Sequence, residues 1–303
     1  SWGSQVMTYN LKTGVLRSLP APNGTLSALK AGTDTTLPGG LHGALLLPDN
    51  FDAKTPHKFV IWLHGGPYRQ TSLGYHPYAS YAVYDWILEG LRSSGVVVLK
   101  LDYTGSFGYG RKFAEALQNN VGVKDVQDVL SALTAMKAKY NLSETHLMGV
   151  SYGGYLSLRA LVERPSSFAS AISINGVSDW LTLVNNNPDT IFAADFKGPL
   201  TIANEKLYDR ASSWAKLPSL TMQKVVLLHS TADSDISFSQ STKLEGILKS
   251  AGKNVQLTRL EGDDHVFGFK TSAETVCKTA FETLGLAAGD KCILIIEDDL
   301  SFA

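Results

Sequence analysis

Short continuous apolar runs alternate with stretches whose apolar residues recur every three or four positions, and this alternation organises most of the chain. Phe59-Val60-Ile61-Trp62-Leu63 is β-branched and aromatic, as a buried strand should be, and it stops at His64-Gly65-Gly66-Pro67, which reads as a loop. Val96-Val97-Val98-Leu99 and Leu147-Met148-Gly149-Val150 read as further strands, each preceded by a helical pattern, the first over residues 84–91. The clearest helix spans residues 124–139, where Val126, Val129, Leu130, Leu133 and Met136 make one apolar stripe that should pack on a sheet. Residues 169–174, 225–228 and 255–260 supply three more strands, with helices near 240–248 and 274–284. Buried strands separated by helices imply a mostly parallel sheet covered on both faces, so the fold class is α/β.

The two ends stand apart from this pattern. Residues 1–36 read as short strands and turns, with a hairpin-like turn at Tyr9-Asn10-Leu11-Lys12-Thr13-Gly14. Residues 37–287 carry the α/β pattern as one domain. Residues 288–303 form a tail in which Cys292-Ile293-Leu294-Ile295-Ile296 runs into Glu297-Asp298-Asp299, as an extra strand or a partner-binding tail.

Composition narrows the classes. The 303 residues are 44% hydrophobic and 18% charged, which excludes disordered and collagen-like chains. With 27 basic and 28 acidic residues and no Lys/Arg cluster, nucleic acid is not an expected partner. No apolar run reaches the ~18 residues that span a bilayer, so no membrane association is expected. Ser1-Trp2-Gly3-Ser4 has no signal-peptide pattern, which leaves the compartment open. Cys277 and Cys292 show neither CxxC spacing nor a histidine cluster, so no zinc site is expected; a bridge between the two is one reading and two ordinary thiols the favoured one.

Gly149-Val150-Ser151-Tyr152-Gly153 fits the GxSxG pattern, between an apolar strand and a helix containing Leu156, Leu158, Leu161 and Val162. A serine on so sharp a turn needs small neighbours, which Gly149, Gly153 and Gly154 provide, and the helix N-terminus favours developing negative charge. A serine hydroxyl needs a base to take its proton and an acid to orient that base. Among the histidines after Ser151, His229 directly ends a strand, whereas His265 lies in a loop beyond the last expected strand, where α/β active sites form. For the acid, Asp233 and Asp235 both qualify by position; Asp263 and Asp264 are weaker candidates, since so close to the base they need a tight local bend to reach its ring, and Asp179 is a further candidate that follows an earlier strand. The backbone N–H of Tyr152 is one expected oxyanion donor, and the turn His64-Gly65-Gly66-Pro67-Tyr68 is placed to supply another.

These motifs together resemble the catalytic domain of the prolyl oligopeptidase family of serine peptidases, particularly its acylaminoacyl-peptidase and dipeptidyl-peptidase-like branches. The resemblance covers residues 40–287. It rests on His64-Gly65-Gly66-Pro67-Tyr68, Gly105-Ser106-Phe107-Gly108-Tyr109-Gly110, Gly149-Val150-Ser151-Tyr152-Gly153-Gly154-Tyr155, Asp233 with Ile236 and Gln240, and His265 with Gly262. It implies an α/β-hydrolase fold, Ser151 as nucleophile, Asp233 rather than Asp235 as the orienting acid, His265 as base, and Gly66 and Tyr152 as oxyanion donors. The chain departs from the family pattern at Thr104, Ser230, Ser237 and Val266, where the family usually has Arg, Gly, Pro and Gly. The family also carries a β-propeller ahead of the hydrolase domain, which makes residues 1–36 the remnant of one, or the chain a single-domain hydrolase.

The expected function is therefore a serine peptidase working through an acyl-enzyme on short peptides, without a cofactor. A carboxylesterase acting on small esters with the same triad, and a silent binding module of hydrolase shape, are the competing expectations. Trp180, in Val177-Ser178-Asp179-Trp180, is the candidate substrate-pocket residue.

Overall fold

The computed structural model describes residues 7–9, 16–18, 30–212 and 220–292. Two short strands, β1 (Met7–Tyr9) and β2 (Leu16–Ser18), pair antiparallel with Met7 opposite Ser18, on either side of the expected hairpin turn. The main sheet holds β3 (Thr33–Leu37), β4 (Leu41–Leu46), β5 (His57–Leu63), β6 (Val97–Asp102), β7 (Leu142–Val150), β8 (Ser170–Ile174), β9 (Lys224–Ser230) and β10 (Val255–Leu260). Their order is β10-β9-β8-β7-β5-β6-β4-β3, with every neighbour parallel except β3 to β4 and β4 to β6. The sheet's edge thus begins at Thr33, ahead of the residue where the α/β pattern starts to be readable.

The helices are α1 (Ala79–Ser93), α2 (Arg111–Glu115), α3 (Lys124–Lys139), α4 (Tyr152–Glu163), α5 (Trp180–Asn186), α6 (Glu205–Ala211), α7 (Ser239–Ser250) and α8 (Lys270–Thr283). They cover both faces because alternate residues of each central strand point opposite ways. Phe59, Ile61 and Leu63 of β5 join Val126, Val129 and Leu133 of α3 and Leu156 of α4 in one core. Val60 and Trp62 join Ile87 and Leu91 of α1 and Val276 and Phe281 of α8 in the other. Each such buried aliphatic side chain contributes about 1.5–3 kcal/mol by leaving water. The doubly covered, mostly parallel sheet is the α/β-hydrolase architecture expected from the sequence.

The two cysteines correct the reading of them as ordinary thiols. Cys277 on α8 and Cys292 are joined by a disulfide, with Cα atoms 5.5 Å apart. The expectation failed because a pair 15 residues apart carries no spacing signature; α8 and the short turn after it bring the two together. The rest of the tail, including the apolar run after Cys292, lies outside the described residues. Among the described residues no helix is long and apolar enough to cross a membrane, and no cluster of His, Cys, Asp or Glu is placed to hold a metal ion.

Candidate active site

Ser151 sits between β7 and α4 with φ +56° and ψ −119°. A non-glycine residue held there carries about 1–3 kcal/mol of backbone strain, which persists only where the surroundings over-determine it. They do so here. Ser151 donates its N–H to Ile174 O at 2.8 Å, and α4 presses so closely on β5 that a Cβ on Gly153 would lie 2.0 Å from the Leu63 carbonyl oxygen. A Cβ on Gly149 would lie 2.3 Å from Gly153 O. The glycines therefore let the strand-to-helix turn close and leave the serine at its tip.

His265 and Asp233 are brought together from the ends of β10 and β9. His265 Nδ1 donates to Asp233 Oδ2 at 2.8 Å, while Asp233 Oδ1 accepts the N–H groups of Asp235 (3.0 Å) and Ile236 (2.7 Å). Burial pushes the Asp233 carboxyl up, but hydrogen bonds from His229 and His265 outweigh it and bring the group down to about 2. Burial pulls His265 down, and the Asp233 hydrogen bond with the charges of Asp233, Asp235 and Asp264 more than reverses this, leaving it above the ordinary histidine value. Among the described residues Ser151 Oγ is not hydrogen-bonded to His265, so the structure joins base and acid but not base and serine.

The other carboxylates are committed elsewhere. Asp263 is buried and accepts the N–H groups of Asp264 and Gly268, folding the loop that carries His265. Asp264 accepts from Ser234 and from the His265 N–H. Asp179 caps α5 through the Thr182 N–H at 2.9 Å, and Asp235 is exposed.

Tyr152 is the first residue of α4, where a backbone N–H has no intrahelical acceptor. Its ring is fully buried and its hydroxyl donates to Asp125 at 2.6 Å, a carboxyl that burial pushes up to about 6 against the pull of that hydrogen bond. Across the turn, a Cβ on Gly65 would lie 3.0 Å from Ser151 Cβ, so this loop rests directly against the serine. Gly66 follows with φ +121°. The loop is held from below by Tyr103 Oη on His64 O (2.7 Å) and by the His64 ring on Ser106 Oγ (2.9 Å). An open cleft of about 590 Å³ runs alongside it, lined by Tyr68, Phe107, Arg111, Ala114 and Glu115.

Trp180 requires a correction. Its side chain is fully buried, packed on Tyr155 (5.0 Å), Phe192 (5.1 Å), Phe196 (5.4 Å) and Tyr152 (5.6 Å), so it supports the wall behind Tyr152 and is not among the residues that line the open cleft.

Two residues that sequence reasoning did not assign to the site help to build it. Asn175, at φ +46°, donates to His265 O (3.0 Å) and to Ser230 Oγ (3.1 Å) and accepts from the Ser230 N–H (2.8 Å), tying the ends of β8 and β9 to the His265 loop. The hydroxyl that stands where the family usually has glycine, at Ser230, is thus put to use. His229, fully buried, lies against Asp233 from inside; a histidine four residues before an acid was its only sequence signal.

Comparison with known proteins agrees with this architecture. The family model described as Prolyl oligopeptidase family matches residues 82–283. The chain is 26% identical over 230 residues to the uncharacterized peptidase YuxL of Bacillus subtilis, covering 74% of this chain and 33% of that protein. It is 28% identical over 239 residues to dipeptidyl peptidase 8 of Homo sapiens, covering 77% of this chain and 26% of that protein. The chain therefore spans about a third or less of the length of these curated relatives. Among solved structures, a puromycin-hydrolyzing peptidase of Mycobacterium tuberculosis superposes with a TM-score of 0.77 at 23% identity, over 93% of this chain and 44% of that one.

Proposed function

This chain belongs to the prolyl oligopeptidase family, and from that premise we propose that it is a serine peptidase that hydrolyses short peptides through an acyl-enzyme. In this reading Ser151 Oγ attacks the substrate carbonyl while His265 Nε2 takes its proton, and His265 then returns the proton to the leaving amine. Water repeats the sequence on the ester and frees Ser151. Asp233 keeps the proton of His265 on Nδ1, so that Nε2 faces the serine, and it stabilises the imidazolium that forms. The N–H groups of Tyr152 and Gly66 receive the oxyanion of the tetrahedral intermediate.

The observation that carries the reading is the 2.8 Å bond from His265 to Asp233, in a chain whose strained Ser151 stands at the N-terminus of α4. Nothing in this chemistry calls for a cofactor. We treat the expected residues 37–287, extended back to Thr33 where β3 joins the main sheet, as the catalytic unit, with β1 and β2 belonging to a separate N-terminal β segment.

The test is turnover of short peptide amides and of matched esters by the wild type and by Ser151→Ala. The reading expects amide hydrolysis that the variant loses. Turnover confined to esters would make the chain a carboxylesterase, and amide hydrolysis surviving in Ser151→Ala would refute the assignment of the nucleophile.

A further inference from the structure

Asp195 is 1% exposed, yet its Oδ2 has no hydrogen-bond partner and no cation pairs with it among the described residues. Its other oxygen accepts from the Tyr68 hydroxyl. A carboxyl taken out of water needs donors or a counter-charge, and a lone phenol supplies half of the first and none of the second. Burial pushes the group up to about 6 against the pull of that phenol, so near neutrality it is largely an anion without a cation. Asn119, whose N–H donates to Asp195 O at 3.0 Å, also carries a buried side-chain oxygen with no partner. Two neighbouring residues thus present acceptors where donors are missing.

The place matters as much as the deficit. Asp195 follows Phe192 by one turn, with its N–H on Phe192 O at 3.0 Å, and the Phe192 ring stacks on Tyr152 at 6.4 Å between centroids. Tyr68 comes two residues after Gly66, and its ring stacks on Phe107 (5.7 Å) to wall the open cleft. The Tyr68–Asp195 bond therefore links the loop of one oxyanion donor to the segment packed behind the other. A side chain entering beside the Tyr152 N–H belongs to the residue whose carbonyl Ser151 attacks.

We propose that Asp195 is the floor of a cation-binding subsite, and that the substrate residue supplying the acyl group carries a lysine or arginine side chain. Its N–H groups would bond the free Asp195 oxygen and share the other with Tyr68, supplying both donors and charge to the buried carboxylate. A neutral side chain would leave that charge uncompensated. The inference rests on Ser151 being the nucleophile.

The test compares the rates at which Ser151 is labelled by the benzyloxycarbonyl diphenyl phosphonates of lysine and of norleucine, which differ at the side-chain terminus by an ammonium group. Wild type should favour the lysine probe by about tenfold or more, as expected for a charge-assisted hydrogen bond, and Asp195→Asn should bring the ratio near one. A wild-type ratio near one overturns the subsite without any variant, so a variant that fails to fold does not shield the proposal. An undiminished ratio in folded Asp195→Asn overturns it as well. Labelling of Ser151 by a small uncharged fluorophosphonate, with no preference between the two probes, would refute the subsite alone; no labelling by any of the three would refute the nucleophile and the subsite with it.

Discussion

His229 Nε2 lies 3.3 Å from Asp233 Oδ2, the carboxylate oxygen that also takes the 2.8 Å hydrogen bond from His265 Nδ1. The same nitrogen faces Ile236 O at 2.8 Å, and with acceptors on both sides it must carry the proton. Nδ1 then accepts from Ser241 Oγ at 2.7 Å, which fixes that tautomer from α7. Two histidines thus address one acid, one buried and one at the surface of the site.

Replacing His229 by leucine removes an N–H that faces the charged acid. The remaining bond to His265 should strengthen, which raises the affinity of His265 for its proton. His229→Leu should therefore move the acid limb of kcat/KM to higher pH and cost about 2 kcal/mol of stability, the scale of a hydrogen bond to a charged group. His229→Gln, which keeps an N–H at the ε position, should restore much of both. Thermal unfolding and a pH profile of the two variants check this, and a limb that stays in place in His229→Leu contradicts it.

The charges around His265 set the direction of the wild-type profile. A protonated His265 cannot accept the serine proton, so activity should rise with pH as that proton leaves, with a midpoint above the 6.5 of an ordinary histidine. Asp235→Asn and Asp264→Asn each remove one of the negative charges that raise it and should lower the midpoint by a few tenths of a unit at low salt, with less effect at high salt. Profiles of kcat/KM for the three proteins, taken at two ionic strengths, provide the measurement.

Close approach of α4 to β5 makes the glycines of the serine turn unequal. A methyl group at Gly153 meets backbone at 2.0 Å, whereas at Gly154 its nearest neighbour is the Ser173 hydroxyl at 2.7 Å, a side chain that can rotate. Gly153→Ala should cost about 3 kcal/mol or more through overpacking, and Gly154→Ala distinctly less. Denaturant titrations would rank them; equal losses would contradict the packing.

The sheet was readable because β5, β6, β8, β9 and the second half of β7 are buried on both faces and so carry short, mostly apolar runs, and α3 because its stripe repeats over its whole length. β3 escaped because an edge strand of Thr33-Asp34-Thr35-Thr36 is mostly exposed and shows no run, and the first half of β7 is likewise polar. α5 and α6, at seven residues each, are too short to establish a period. At the proposed site, the places of Ser151 after an apolar strand and of His265 in the loop after the last one could be read along the chain. Asn175, His229 and Asp195 were not, since each acts through a contact with a residue 4 to 127 positions away that only the folded sheet supplies. Trp180 misled for a related reason: an aromatic beside the site has the same sequence signature whether it faces a pocket or, as here, the core.

The most direct test of the account is labelling of the folded chain with a fluorophosphonate, followed by mapping of the modified residue. A single adduct on Ser151 is expected, abolished in Ser151→Ala and strongly slowed in His265→Ala. A folded wild type that takes no label, or takes it at another residue, would contradict it.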